Sequence, residues 1–329
     1  MKAWGLPRPF ELELLDLPVP AVRADEALVR IGHTGLCGSD LEIYRGRRSP
    51  EFLANPVRLG HEACGVVEEV GPQLRGLRPG DKVALRGVWG CLSEYVTAPL
   101  LTPPSPRSMP TLQMVKLPPA FPGELGPFIE VLPKVIRTGE SIGVTNQTDV
   151  LIIGQGVCGL LLTQVLRMQN PNRLVTVDLW DEKLLLSRRF GATATFNRHQ
   201  GPLAELVRSA LPDGADVVIV AHLEGTGVPE AIDLLKWNGK LVLWGCLGRA
   251  EVDFYRLHAR GGDIIGTRMT DLRQDAHYCQ RAVDMVERGL IDVSSLVTHR
   301  FTLETVPAAF ATKDKGTGDV VGVTVANEG

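Results

Sequence analysis

The sequence predicts an α/β fold in two parts, a β-rich first third and a doubly wound parallel sheet. Three observations predict it. Residues 1 to about 100 carry short apolar runs broken by turn signals, residues 150 to 266 alternate strand-like and helix-like runs, and the alternating part opens on a glycine-rich turn, Gly154-Gln155-Gly156-Val157-Cys158-Gly159. Alternation of strand and helix is the pattern of parallel βαβ units, whereas closely spaced short strands make a β-rich domain.

In the first part strands are expected at Glu11–Leu17, Ala27–Thr34, Ala63–Val70, Lys82–Leu85 and Leu92–Ala98, punctuated by Val70-Gly71-Pro72 and Pro79-Gly80-Asp81. Five prolines between residues 99 and 110 exclude helix and central strand there and predict an extended surface loop.

In the second part Val150-Leu151-Ile152-Ile153 runs into the glycines, Leu160 to Leu166 continue as an apolar helix, and a strand over Leu174–Val177 closes on Asp178. Strand, Gly-x-Gly-x-x-Gly, helix, strand, acid is the order a dinucleotide-binding unit needs. Gly154 makes the tight turn, Gly156 lets backbone approach a pyrophosphate, and Gly159 lets helix pack on strand. The pyrophosphate then sits at the helix N-terminus, by Val157, where unpaired N–H groups favour an anion. Asp178 stands where a carboxylate accepts hydrogen bonds from the adenosine ribose and repels a 2′-phosphate, which favours NAD over NADP. Lys183 fits the same ribose edge and equally a solvated helix face, while Arg188 and Arg189 lie a helical turn or more further on.

The period continues through an expected helix at Asp181–Phe190, a strand at Val217–Ala221, a helix at Val228–Trp237, a strand at Lys240–Gly245 and a last strand at Ile264-Ile265-Gly266. A helix over 276–289 follows, and the tail from Thr298, with a helical piece near Ala308 and a β-like run over Val320–Val325, is expected to return to the first domain.

At 329 residues the chain is long enough for two hydrophobic cores. A formal charge of −3 offers no basic patch to nucleic acid and no polybasic membrane anchor. Met1-Lys2-Ala3-Trp4-Gly5 has no hydrophobic signal core and no apolar run reaches transmembrane length, so a cytoplasmic protein is expected. Six cysteines, at 37, 64, 91, 158, 246 and 279, form no Cys-x-x-Cys pair, leaving them as buried small apolar residues or single metal ligands.

Three stretches ahead of the glycine turn carry metal-type residues: Cys37-Gly38-Ser39-Asp40, Gly60-His61-Glu62, and Glu130. A thiolate, an imidazole and carboxylates bind a divalent ion tetrahedrally and leave a position open, the arrangement of a catalytic zinc site. Taken singly, Cys37 also reads as a core thiol, His61 as a structural histidine, and Glu130 as an ordinary helix-start acid.

Taken together they carry a resemblance. Gly35-Leu36-Cys37-Gly38-Ser39-Asp40-Leu41, Leu59-Gly60-His61-Glu62, Gly65-Val66-Val67, Pro79-Gly80-Asp81-Lys82-Val83, Glu94-Tyr95-Val96, the Gly154 motif with Asp178 and Lys183, Phe190-Gly191-Ala192-Thr193 and Gly239-Lys240-Leu241-Val242 resemble the zinc-dependent medium-chain alcohol and polyol dehydrogenases over nearly the whole chain. The resemblance implies a GroES-like catalytic domain over 1–138 and 286–329 and a Rossmann NAD-binding domain over 139–285. It implies Cys37 and His61 as zinc ligands, and Glu62 as a ligand or a carboxylate that exchanges with one. Glu130 stands where alcohol-type members have a second cysteine and polyol or sugar members a glutamate, so the set resembles the polyol or sugar branch. A carboxylate in place of a thiolate makes the ion a stronger Lewis acid.

The departures from the family pattern also carry expectations. Only Cys91 lies between Asp81 and Glu94, where many relatives hold a structural zinc on four cysteines; one catalytic zinc per chain and no structural zinc is expected. Glu42 replaces a histidine that often ends a proton relay, and Gly322 stands near where some relatives place a basic residue on the pyrophosphate. The implied reaction is reversible alcohol oxidation, with Ser39 taking the hydroxyl proton and passing it toward the nicotinamide ribose and Glu42, and hydride going to NAD. Trp89 and Tyr44 are expected on an apolar wall, and Arg45, Arg47 and Arg48 either near an acidic substrate or in a solvated loop. A small-molecule alcohol, polyol or sugar substrate and a homodimer or homotetramer, built through Rossmann edge strands, complete the expectation. A zinc-free enone or quinone reductase of the same superfamily and a non-catalytic NAD-binding protein are the competing readings.

Overall fold

The alternating part of the chain folds as a six-stranded parallel sheet in the order 194–197, 173–178, 149–153, 215–220, 235–243, 263–266. The computed structural model describes residues 1–48, 57–101, 112–222, 227–245, 250–267 and 272–327. Asp149–Ile153, in the middle of the sheet, is buried at every position, as a parallel strand covered on both faces must be. Leu151, Val175, Val218 and Leu241 form a core with Leu203, Val207, Ala231 and Ile232 from the helices. The strand order reverses beside Asp149–Ile153, so the crevice at its C-terminal end is the topological switch point where such sheets bind ligands.

The β-rich part is a seven-stranded sheet in which Glu26–Gly35 is the central element. Glu26–Gly35 pairs antiparallel with Glu62–Val70, with Tyr95–Pro99 and, at its end, with Gly322–Ala326. Its Ala27, Val29 and Ile31 pack on Ala63, Val67, Val83 and Leu85. Lys2–Arg8 and Glu11–Asp16 make a separate hairpin.

The chain divides into two compact units, Met1–Pro133 with Met269–Gly316 and Gly322–Gly329, and Lys134–Arg268 with Thr317–Val321. The division after 268 falls earlier than the boundary at 285 expected from the sequence. The reason is the helix Leu272–Glu287, whose Asp275 is anchored in the first unit. Asp275 Oδ2 accepts from Arg86 Nη1 at 3.0 Å and from Leu112 N at 2.8 Å, and both charged side chains are almost fully buried, at 4% and 1% exposure.

One expected helix is corrected. Val228–Trp237 is helical only to Asp233, and Leu235–Leu243 is strand. Ala215 N donates to Leu234 O at 2.8 Å, and Leu234 and Leu235 are buried, so core packing and ladder bonding override helix propensity. The chain then bends through Asn238, at φ 59°, and rejoins the ladder with Lys240 opposite Val217. Strands Lys2–Arg8, Met114–Lys116 and Ala194–Asn197 and the helix Leu132–Ser141 were not among the elements expected from the sequence. Most of the proline-rich stretch at 99–110 lies outside the described residues. Among the described residues no helix is long and apolar enough to cross a membrane.

Removing one member of a buried ion pair strands the other charge in a medium that solvates it poorly. Asp275→Ala is therefore expected to destabilise the protein by about 3–5 kcal/mol, read as a lowered urea midpoint; an unchanged midpoint would show that Arg86 is solvated another way.

Candidate metal centre and dinucleotide pocket

The antiparallel register brings the metal-type residues together. Gly35 is paired with Glu62, so Cys37, two residues past one strand, and His61, just before the other, lie beside each other. Cys37 caps the helix Gly38–Tyr44, and its backbone N donates to Asp40 Oδ2 at 2.9 Å. Gly60 adopts φ +84°, a conformation that favours glycine, and its N donates to Asp40 Oδ1 at 2.9 Å. His61 Nδ1 is buried 3.4 Å from the same Oδ1, within ion-pair reach but without hydrogen-bond alignment. Asp40 itself is fully buried.

Ligand atoms of Cys37, His61 and Glu62 all lie within 4.8 Å of one another. Tetrahedral zinc with ligands at about 2.0–2.3 Å separates its ligand atoms by about 3.3–3.8 Å, so a small contraction closes the set. A thiol, an imidazole and a carboxylate are also the donor types such an ion takes, so the residues present fit it. Gly35 keeps this open, since a Cβ there would stand 3.1 Å from Glu62 Oε2. Glu130 is buried at the end of the 3-10 helix Gly123–Ile129 and lies outside that set of three. Its charge nevertheless acts on Glu62.

The electrostatics follow from crowding. Burial pushes the Glu62 carboxyl up to about 7, with His61 pulling down and Glu130 adding to the rise. Burial works against a charged His61, but Asp40 and Cys37 together more than offset it, and its pKa stands well above the usual imidazole range. Burial, then the Glu62 carboxylate, raises the Cys37 thiol.

Around the set, buried Ser39 brings Oγ to 3.3 Å from His61 Nε2, and Trp89 stacks on the His61 ring at 4.2 Å between centroids and 29° between planes. Glu42 is committed elsewhere on the same helix. Its Oε1 lies 3.6 Å from Arg45 and 3.6 Å from Arg47, and Arg45 also binds Asp314. Tyr44 packs between Phe10 and Phe310. Sequence reasoning gave Asp40 no role; the signal available was its spacing, an acid three residues after the helix-capping position.

The glycine turn of the second unit has the geometry its sequence demands. Gly154 sits at φ +99°, with Ala221 O 3.0 Å from where a Cβ would be. A Cβ on Gly159 would stand 1.9 Å from Gly154 O, so the third glycine is required for helix-on-turn packing. A Cβ on Gly156 would meet nothing within 4 Å, which leaves open space over the turn. Gly156 caps the helix Val157–Arg167, whose first turn has no acidic residue to oppose an anion. Asp178 Oδ2 accepts from Gln155 N at 2.6 Å and Oδ1 from Trp180 N at 3.1 Å, locking the acid to the turn. A cavity of about 510 Å³ opens here, lined among others by Gly154, Asp178, Leu179, Arg198, Leu203 and Glu230. That volume suits a nucleoside-sized ligand. Lys183 lies part-buried on the helix Asp181–Arg189.

The chain matches two family models, alcohol dehydrogenase GroES-like domain over residues 23–102 and zinc-binding dehydrogenase over residues 157–288. It is 30% identical to sorbitol dehydrogenase of Ovis aries, covering 94% of this chain and 92% of that one. It is also 30% identical to sorbitol dehydrogenase 1 of Saccharomyces cerevisiae, covering 92% of each. In fold it is similar to a zinc-binding dehydrogenase from Sinorhizobium meliloti 1021 bound to NADP, with a TM-score of 0.83 at 24% identity over 99% of this chain and 98% of that one.

Two outcomes test the centre. Asp40→Asn keeps the shape but loses the charge facing His61, and is expected to weaken zinc binding about 10- to 100-fold by titration against a competing chelator. Because an ion must displace protons held by Glu62 and His61, affinity should climb as pH rises through about 7. Equilibrium dialysis at acid and neutral pH checks the sign, and stronger retention in acid would refute it.

Proposed function

The chain belongs to the zinc-type medium-chain dehydrogenase/reductase family, an enzyme family of oxidoreductases, and we propose that it reversibly oxidises a secondary alcohol, polyol or sugar hydroxyl with one zinc ion and NAD. The observation that carries this reading is the set Cys37, His61 and Glu62 within 4.8 Å, beside Ser39 Oγ. Cys37 and His61 would hold the ion with Glu62 as the third protein ligand. Glu130, buried and near enough to raise Glu62, would be the carboxylate that exchanges with it or orders a water. Zinc supplies a Lewis acid that lowers the pKa of a substrate hydroxyl, and NAD supplies the hydride acceptor.

The chain's own residues do the rest. Asp40 faces His61 Nδ1 at 3.4 Å and biases the ring by its charge. Ser39 Oγ is the hydroxyl positioned to take the substrate proton, and Glu42, three residues on, is the next acceptor proposed, with its Oε1 3.6 Å from both Arg45 and Arg47. Trp89 gives the substrate a flat apolar wall against His61. In the second unit Gly154, Gly156, Val157 and Gly159 would cradle the pyrophosphate, and Asp178 with Lys183 would take the ribose. One zinc per chain is proposed because Cys91, alone in its segment, is buried with its thiol donating to Val88 O.

Assembly as a homodimer or homotetramer is proposed through the sheet edge at Asp263–Gly266. That strand is terminal in its sheet, its Ile264 is 44% exposed, and Trp237 on the neighbouring strand is 74% exposed.

The purified chain is expected to hold one zinc and to reduce NAD with polyols, sugars or secondary alcohols. Cys37→Ser should lose the metal and at least about a thousandfold in kcat/KM; full activity without metal would instead favour the zinc-free reductase reading. Asp178→Ala should erode the preference for NAD over NADP about 10- to 100-fold. Ile264→Asp should shift the sedimenting species toward monomer.

A further inference from the structure

The cavity beside Asp178 contains a charged pair that the glycine motif does not account for. Arg198 follows Asn197, which is paired with Asp178 across the two strands, and Asn197 Nδ2 donates to Asp181 at 2.8 Å. The backbone at Arg198 is thereby fixed against the acid at the ribose position. The guanidinium is fixed as well. Nη2 lies 2.8 Å from Glu230 Oε1, on the first turn of the helix Val228–Asp233, and Nη1 donates to Gly201 O. Both terminal nitrogens of Arg198, which lines the cavity, are thus engaged, and the guanidinium plane is held in place.

We propose that Arg198, clamped by Glu230, is the stacking platform for the adenine ring of the dinucleotide. This rests on the reading that NAD binds at this turn. An alternative use of an arginine here is to hold a 2′-phosphate. Charge decides between them, because among the described lining residues two carboxylates, Asp178 and Glu230, stand with Arg198 and the imidazole of His222. A phosphate dianion would have to displace Glu230 and face Asp178, whereas a neutral purine needs neither. A planar guanidinium against a heteroaromatic ring gains from cation–π attraction and dispersion, while Leu179 and Leu203 supply apolar wall. Glu230 then acts as a positioning residue, keeping the plane from rotating.

Calorimetry on the full chain with NAD, AMP and nicotinamide mononucleotide tests this. Arg198→Ala should weaken NAD and AMP alike, by about 5- to 30-fold, and leave nicotinamide mononucleotide unchanged because it has no adenine. Arg198→Lys keeps the charge and a partner for Glu230 but has no plane, so it should fail to restore AMP affinity. Glu230→Gln should give a smaller loss of the same kind. If Arg198→Ala binds AMP as well as the wild type, or if it weakens only NADP, the inference is overturned while the cofactor reading stands. A wild-type chain that binds neither NAD nor AMP removes both.

Discussion

One buried carboxylate holds the metal-type residues in register. Asp40 has no solvent to stabilise its charge, so the surrounding chain must supply that stabilisation. It does so with the N–H of Cys37, the N–H of Gly60 and the edge of the His61 ring, which come from two stretches twenty residues and more apart. The exchange is mutual. The acid is satisfied only if both loops are in place, and the loops are pinned only if the acid is there. A neutral amide at position 40 would match the shape but would present a donor to one of two backbone donors.

Around that carboxylate the unit gathers two more acids, Glu62 and Glu130. Glu62 leaves the ordinary carboxylate range chiefly because it is buried, and the neighbouring Glu130 charge adds to the rise. Arg86, the buried cation paired across the sheet with Glu62, has its terminal nitrogens on Asp275. A folded chain does not keep such an arrangement for stability, since apolar residues of the same volume would serve as well. Acids gathered next to a thiol and an imidazole are instead what a divalent cation compensates.

The dinucleotide pocket is built on a different principle. Its positive character comes from backbone rather than side chains: a glycine turn with open space above it, a helix start without acids, and a carboxylate already tied to the turn amide. Charged side chains enter beside the turn, where Asp178, Arg198 and Glu230 line one cavity. Anion recognition here is therefore set by topology, and selectivity by a few charged groups at the ends of adjacent strands.

The sequence by itself determined the two-part α/β architecture, the strand–turn–helix at Gly154 and the identities of Cys37, His61 and Glu62, because each of these is local: glycines at fixed offsets, apolar periods, reactive side chains in short runs. Tertiary structure alone decided what depended on contacts between distant segments. The strand beginning at Leu235 overrode a helical period because Ala215 claimed its carbonyl neighbour, and Glu62 rather than Glu130 joined Cys37 and His61 because the pairing of Gly35 with Glu62 put it there. Arg86 and Arg198 had no distinctive local signal, since an arginine at a strand end or on a single turn reads as solvated until its partners are known. Periodicity and motif spacing report on neighbours in the chain; charge partners, burial and pairing register are properties of the assembled fold.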